Sequence, residues 1–140
     1  MSTVLWANQL VNGEVISQES DLYALYKHTK KLDSLCKQLG LPLFSRLLDD
    51  TDLRFNLDEF ELPEGATSTN DVMKLKGVWD VASEVTSQFK TLAAHIQQNQ
   101  VRFGLFSNQH AEVLAELRHV IAFAQQAAQQ NGQFNFSVVM

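Results

Sequence analysis

The stretch Gln133-Phe134-Asn135-Phe136-Ser137-Val138-Val139-Met140 decides the fold. Phe134, Phe136, Val138 and Met140 alternate with Asn135, Ser137 and Val139, the period-two pattern of a half-buried β-strand. A lone strand leaves backbone donors and acceptors unpaired, so this one needs neighbours. The other end of the chain supplies them. Thr3 to Leu10 is rich in β-formers, Asn12-Gly13 suits the positive φ angles of a two-residue type I′ turn, and Val15, Ile16 and Ser17 begin a return strand. The pattern predicts a small three-stranded antiparallel sheet built from an N-terminal hairpin and the C-terminal strand. Trp6, Phe134 and Phe136 are expected to gather on it as an aromatic cluster.

Between the strands lie three long helix patterns. The first covers about 21–39, with Ser20 placed to cap it and Gly40 and Pro42 to end it. Leu22, Leu25, Thr29, Leu32, Cys36 and Leu39 share its apolar face. A short helical turn over 43–48 is entered through Pro42. The second helix runs over about 70–98 from a cap at Asn70, and Val72, Leu75, Trp79, Ala82, Thr86, Phe89, Ala93 and Ile96 form its seam. That seam is broader than a strict coiled-coil stripe, which favours packing inside one core over pairing between chains. Gly77 within it permits either a close contact beside Trp79 or a helix irregularity. The third helix covers about 108–131, capped by Ser107 and stopped by Asn131-Gly132, with Val113, Leu117, Val120, Ile121, Ala124 and Ala128 inward. The class is therefore α+β, with the helices packed on the sheet.

A chain of 140 residues matches the usual size of one domain, and no repeat or long linker divides it. Nine Phe, two Tyr and two Trp with 45% hydrophobic residues argue for a packed core without disulfide or metal staples. Net charge is −5, and residues 1–70 hold eleven acidic against six basic side chains. This acidity opposes nucleic-acid binding. The densest basic patch, Lys27, Lys30, Lys31 and Lys37, reads as a solvated helix face. The single Cys36 allows neither an intrachain disulfide nor a cysteine zinc cluster, and among leucines it reads as a small buried apolar residue. The N-terminal MSTVLWANQL lacks the charged and then apolar regions of a signal peptide, and no run of apolar residues is long enough to span a bilayer, so a soluble cytoplasmic location is expected.

The exception to this ordered pattern is 49–70. Its first part, 49–64, carries Asp49, Asp50, Asp52, Asp58, Glu59, Glu61 and Glu64 against Arg54 alone, before Pro63-Glu64-Gly65 and a Thr/Ser run. An aperiodic connection of this length is commonly functional or mobile, which makes this solvated acidic edge the candidate partner surface. Counted from Asp50 it partly fits a calcium loop, but Arg54 and Phe55 stand where an oxygen ligand and a glycine are required. Glu112, Glu116 and His119 place an acid-x-x-His pair and a further acid on one helix face, the basis of an alternative metal-dependent reading. The helix has no second such motif, so an exposed Glu116–His119 interaction is the plainer account. His28, His95, His110 and His119 form no zinc pair, no nucleophile elbow exists, and the six isolated glycines build no phosphate loop.

The run Leu25-Tyr26-Lys27-His28, Leu32-Asp33-Ser34-Leu35-Cys36, Leu39-Gly40-Leu41-Pro42-Leu43 and Asp50-Thr51-Asp52 resembles the opening of small uncharacterised bacterial proteins over about the first 55 residues. In them an LDxLCxxLG helix precedes a proline and an acidic turn. The resemblance implies a bacterial cytosolic source and carries no activity, cofactor or catalytic residue. Together these readings predict a non-enzymatic interaction or regulatory protein with no cofactor, no nucleic acid and no membrane. Its partner is another protein or a second copy, as in a homodimer that hides an open sheet edge. The alternative is a small-ligand or metal-dependent enzyme with a pocket between sheet and helices.

Overall fold

The structure is a computed structural model that describes residues 2–140. Strands β1 (Val4–Val11) and β2 (Glu14–Gln18) form the expected hairpin, with Asn12 at φ 52° and Gly13 at φ 78° and Val11 opposite Glu14. The C-terminal strand, Gln133–Val139, lies antiparallel to β1 with Trp6 opposite Ser137 and Ala7 opposite Phe136, so the two ends of the chain meet as expected.

The sheet is larger than the expected three strands. Its C-terminal strand would have kept one edge unpaired, and two short segments fill it: β3 (Leu48–Asp49), parallel, and β4 (Asp80–Val81), antiparallel. Numbered in chain order, the C-terminal strand is β5, and the order is β2-β1-β5-β3 with β4 beside β3 on the same edge of β5. Segments of two residues are too short to show a period in sequence.

Among the described residues six α-helices surround this sheet, and each of the three long expected helices changes at its ends or within. The first is two pieces, α1 (Tyr23–Lys27) and α2 (Thr29–Gln38). The Thr29 hydroxyl donates back to the Tyr26 carbonyl at 2.8 Å, competing with the backbone ladder at the junction. Ser20 does not cap; Leu22 occupies that position without a side-chain bond. The expected stop holds: Gly40 has φ +67° and the Leu41 N–H donates to the Cys36 carbonyl at 2.9 Å. The 43–48 turn is a 3₁₀ turn, Phe44–Leu47.

A helix absent from the expectation, α3 (Thr51–Asn56), forms inside the acidic segment. The expected helix 70–98 is broken into α4 (Thr69–Lys76) and α5 (Ala82–Gln98), with β4 between them and Ser68, not Asn70, at the start of α4. Gly77 marks the break. A Cβ there would sit 2.5 Å from the Met73 carbonyl oxygen and 2.7 Å from Asp49 Oδ2, so only glycine admits this approach. The Trp79 indole N–H donates to the Met73 carbonyl at 2.8 Å, beside the helical bond that this carbonyl accepts from the Gly77 N–H at 2.8 Å. The apparent seam thus crosses a boundary. Leu75 faces solvent, while Ala82, Val85, Phe89, Leu92 and Ile96 of α5 are buried.

The last helix, α6 (His110–Ala128), starts later than expected, with Gln109 and not Ser107 at the cap position and no side-chain cap bond; Asn108 lies just before it. Asn108 Oδ1 accepts the Phe103 N–H at 2.9 Å and the His110 N–H at 3.1 Å. Helices α5 and α6 pack together against one sheet face. There Phe136 lies 5.2 Å from Phe44, 6.0 Å from Phe89 and 5.0 Å from Phe134 between ring centres, and all four rings are fully buried. Gln9 shares this face and donates to the Phe123 carbonyl at 2.9 Å.

The second face is also covered, so β5 is buried on both sides and not half-buried. Asn8 donates to Asn135 Oδ1 at 2.8 Å and to Ser137 Oγ at 3.1 Å, Ser17 donates to Asn8 Oδ1 at 2.6 Å, and Asn135 donates to the Val78 carbonyl at 2.8 Å. This polar layer is satisfied from within, as burial demands. Alternation is retained, but what looked like a wet face is a buried polar seam beneath α3 and α4. Trp6 lies on this face, away from Phe134 and Phe136, so the expected aromatic cluster does not form around it.

Candidate functional site

The acidic segment divides into struts and surface. Asp49 is buried, and its carboxylate accepts the Thr51 N–H at 2.9 Å and the Val78 N–H at 3.0 Å, tying β3 to the end of α4. It is unavailable to a partner, which corrects the reading of a wholly solvated edge. Asp52 is also engaged: Oδ1 accepts the Thr69 hydroxyl at 2.8 Å and Oδ2 accepts the Met140 N–H at 3.1 Å. It lines a polar cleft of about 340 Å³ with Trp6, Asn56, Asn70 and Ser137. Asp50 stays exposed and pairs with Arg54 at 2.9 Å.

Asp58 ends α3 in the left-handed region at φ 59°, where the Glu59 N–H reaches back to the Arg54 carbonyl at 3.0 Å. This turn exposes Asp58, Glu59, Glu61 and Glu64, and it leaves Leu57 52% exposed. Phe60 folds back onto α3, 5.7 Å from Phe55 and under the Arg54 guanidinium at 5.5 Å. Beside it, α4 presents Leu75 at 80% exposure. Two adjoining grooves of about 310 and 280 Å³ share Pro63 and Val72; Phe60 and Glu61 line the first, Glu64 and Leu75 the second. The result is an apolar strip with carboxylates along its rim, and two cations, Arg54 and Lys76, at its edge. The Thr67 N–H and hydroxyl both bond the Asp71 carboxylate, at 2.8 and 3.0 Å, and hold it below the usual carboxylate range. These bonds pin the chain entering α4.

The structure does not assemble the Glu112, Glu116 and His119 set. Glu112 and His119 are exposed, while the Glu116 carboxylate turns inward and accepts the Leu25 N–H at 3.0 Å and the Ala24 N–H at 3.2 Å. It serves the first turn of α1, the end that lacks a side-chain cap of its own. Among the described residues no group of three His, Cys, Asp or Glu side chains is arranged to hold a metal ion. Burial raises the Glu116 pKa above its ordinary value of 4.5, against the lowering effect of the two N–H donors. A raised folded-state pKa means that this group favours folding most when protonated, and the contribution is lost as pH rises through the folded value. Denaturation of the wild type and of Glu116→Gln across the acid range will therefore show the wild type losing stability relative to the variant as pH rises past the ordinary glutamate value. A pH-independent difference would refute the burial assignment.

Cys36 is buried as expected, and burial pushes its thiol up, away from the thiolate needed for nucleophilic work. Lys27, Lys30, Lys31 and Lys37 are exposed around their helices. Phe44, Phe89, Phe134 and Phe136 occupy the space between sheet and helices where the enzyme alternative places a pocket. Sequence reasoning missed the loop after α5, where Leu105 is 82% and Phe106 97% exposed. The signal was Gly104-Leu105-Phe106-Ser107, two large apolar residues in a turn with no periodic partners. Among the described residues no helix is long and apolar enough to cross a membrane. Comparisons of the chain with protein-family models, with curated proteins and with solved structures give no match.

Proposed function

We propose that this chain is a non-enzymatic protein-interaction module of the bacterial cytoplasm, and that the exposed part of 50–64 together with α4 is its docking surface. The observation that carries this reading is solvent-exposed Leu75 in a groove that Glu64 and Asp71 also line, adjoining a second groove lined by Phe60 and Glu61. Apolar anchors supply affinity when a partner covers them, and the surrounding charge selects and orients that partner. A basic amphipathic helix, with apolar residues on one face and Lys or Arg beside them, has the complementary chemistry. Asp49 and Asp52 belong to the support of this surface and not to its contact face. A lone, buried cysteine suits a reducing compartment, and the resemblance of the 25–52 stretch supports the bacterial setting.

The test is a titration of the chain with a fluorescent basic amphipathic peptide at several salt concentrations. Binding is expected to weaken with salt and to fall by about tenfold or more in a Glu59→Lys, Glu61→Lys, Glu64→Lys variant. Leu75→Asp should abolish it, because this exposed side chain is a contact and not a core residue. Peptide binding that ignores both variants would overturn the assignment.

A further inference from the structure

The loop joining α5 to α6 is built, not slack. Phe103 is buried against His28, with ring centres 5.4 Å apart, and the Gln109 N–H closes the loop onto the Phe103 carbonyl at 2.7 Å. Arg102 braces the tip from outside: Nε donates to the Gly104 carbonyl at 2.9 Å and Nη2 to the Leu105 carbonyl at 3.0 Å. Gly104 has φ +110°, and a Cβ there would lie 2.3 Å from the Ser107 carbonyl oxygen. Backbone and side-chain bonds thus hold Leu105 and Phe106 outward in one conformation, which lowers the ordering cost when they bind. Two large apolar side chains at 82% and 97% exposure on a braced turn contribute nothing to the core.

We infer that the Leu105-Phe106 knob of one chain docks in the Pro63–Val72–Leu75 groove of a second copy, head to tail; this names a partner for the surface proposed above and rests on that reading. Three observations select a second copy. Among the described residues Phe106, Leu105 and Leu75 are the three most exposed large apolar side chains, the first two on a convex turn and the third in a concave groove. The charges of knob and groove are complementary: Arg102 stands at the knob, while at the groove Glu64 and Asp71 outnumber Lys76. They also belong to opposite layers, since α4 lies against the Asn8 face of the sheet and α6 against the Gln9 face, so one chain does not close its knob into its own groove. A contact between unlike patches of this kind propagates into rings or open chains and does not stop at a two-fold dimer. A bilayer is the less favoured occupant, because the chain carries a net charge of −5 and the loop offers Arg102 alone to anionic lipid.

Sedimentation velocity of the full chain over a concentration series up to about 1 mM tests this, the range suited to a small, transient interface. Wild type should grow from monomer past dimer as concentration rises. Phe106→Ser, Leu105→Ser and Leu75→Asp should each remain monomeric, with circular dichroism unchanged because all three sites are exposed. Mixing Phe106→Ser, which keeps its groove, with Leu75→Asp, which keeps its knob, should restore a single interface and yield a 1:1 dimer that grows no further. A wild type that stays monomeric, or two variants that do not pair on mixing, would overturn the inference. So would Phe106-dependent binding to anionic phospholipid vesicles without self-association. If the chain stays monomeric yet binds the basic amphipathic peptide through Leu75, the self-docking falls while the docking surface stands; if neither is seen, both fall.

Discussion

Replacing Phe136 with Ala will destabilise the protein by about 3–5 kcal/mol, the usual cost of emptying a fully packed aromatic site. The ring is fully buried and lies within 6.0 Å of Phe44, Phe89 and Phe134 between centres. Collapse around the cavity is limited because each neighbour is held by a different element: the 3₁₀ turn, α5 and β5 itself. A domain has about 5–15 kcal/mol of stability in total, so a large share of it goes. Thermal and urea unfolding should both report the loss. Phe106→Ala is the internal control, since removing a 97% exposed ring should shift stability by less than about 0.5 kcal/mol. Comparable effects at the two positions would contradict the packing described here.

Asp49→Ala should also be strongly damaging, at about 2–6 kcal/mol. The arithmetic follows from two backbone donors, the N–H groups of Thr51 and Val78, that lose a buried acceptor. Each such orphaned group costs about 1–3 kcal/mol. The Val78 bond also spans a sequence separation of 29 residues and secures the chain where it leaves α4 for β4. Asn in place of Asp49 keeps one acceptor oxygen and should recover part of the loss, which separates hydrogen bonding from simple volume. Urea denaturation of the two variants checks the order. A drop below about 1 kcal/mol for Asp49→Ala would show that water or a rearranged carbonyl takes over both donors.

The same residue shows how much of the candidate site was legible in sequence. Asp49, Asp50, Asp52, Asp58, Glu59, Glu61 and Glu64 look alike as a composition, because net charge does not distinguish a buried carboxylate that accepts two backbone N–H groups from one that faces water. Apart from Asp50, which pairs with Arg54 at the start of α3, the exposed members lie beyond the last turn of α3, around and after the left-handed turn at Asp58. Their apolar companion Leu75 was read as a core position, since a period of three and four continued from Val72 through Trp79 into α5. Periodicity cannot register that the helix ends at Gly77, where the obstacle is the Met73 carbonyl and a carboxylate 28 residues earlier in the chain. Glu116 was misread for a related reason. Its role depends on the N–H groups of Ala24 and Leu25, which the fold delivers from about ninety residues away.

Local chemistry in the sequence by itself determined the hairpin at Asn12-Gly13, the alternation of β5, the Gly40 and Asn131-Gly132 helix stops and the burial of Cys36. Each depends on backbone preference or on the period of apolar side chains over a few residues. Only the tertiary structure decided the two short strands that complete the sheet, the polar seam of Asn8, Asn135 and Ser137, the division of the acidic segment, and the outward knob at Phe106. Those features exist because every backbone group and buried carboxylate must find a partner once the chain is compact, and the partners lie far apart in sequence.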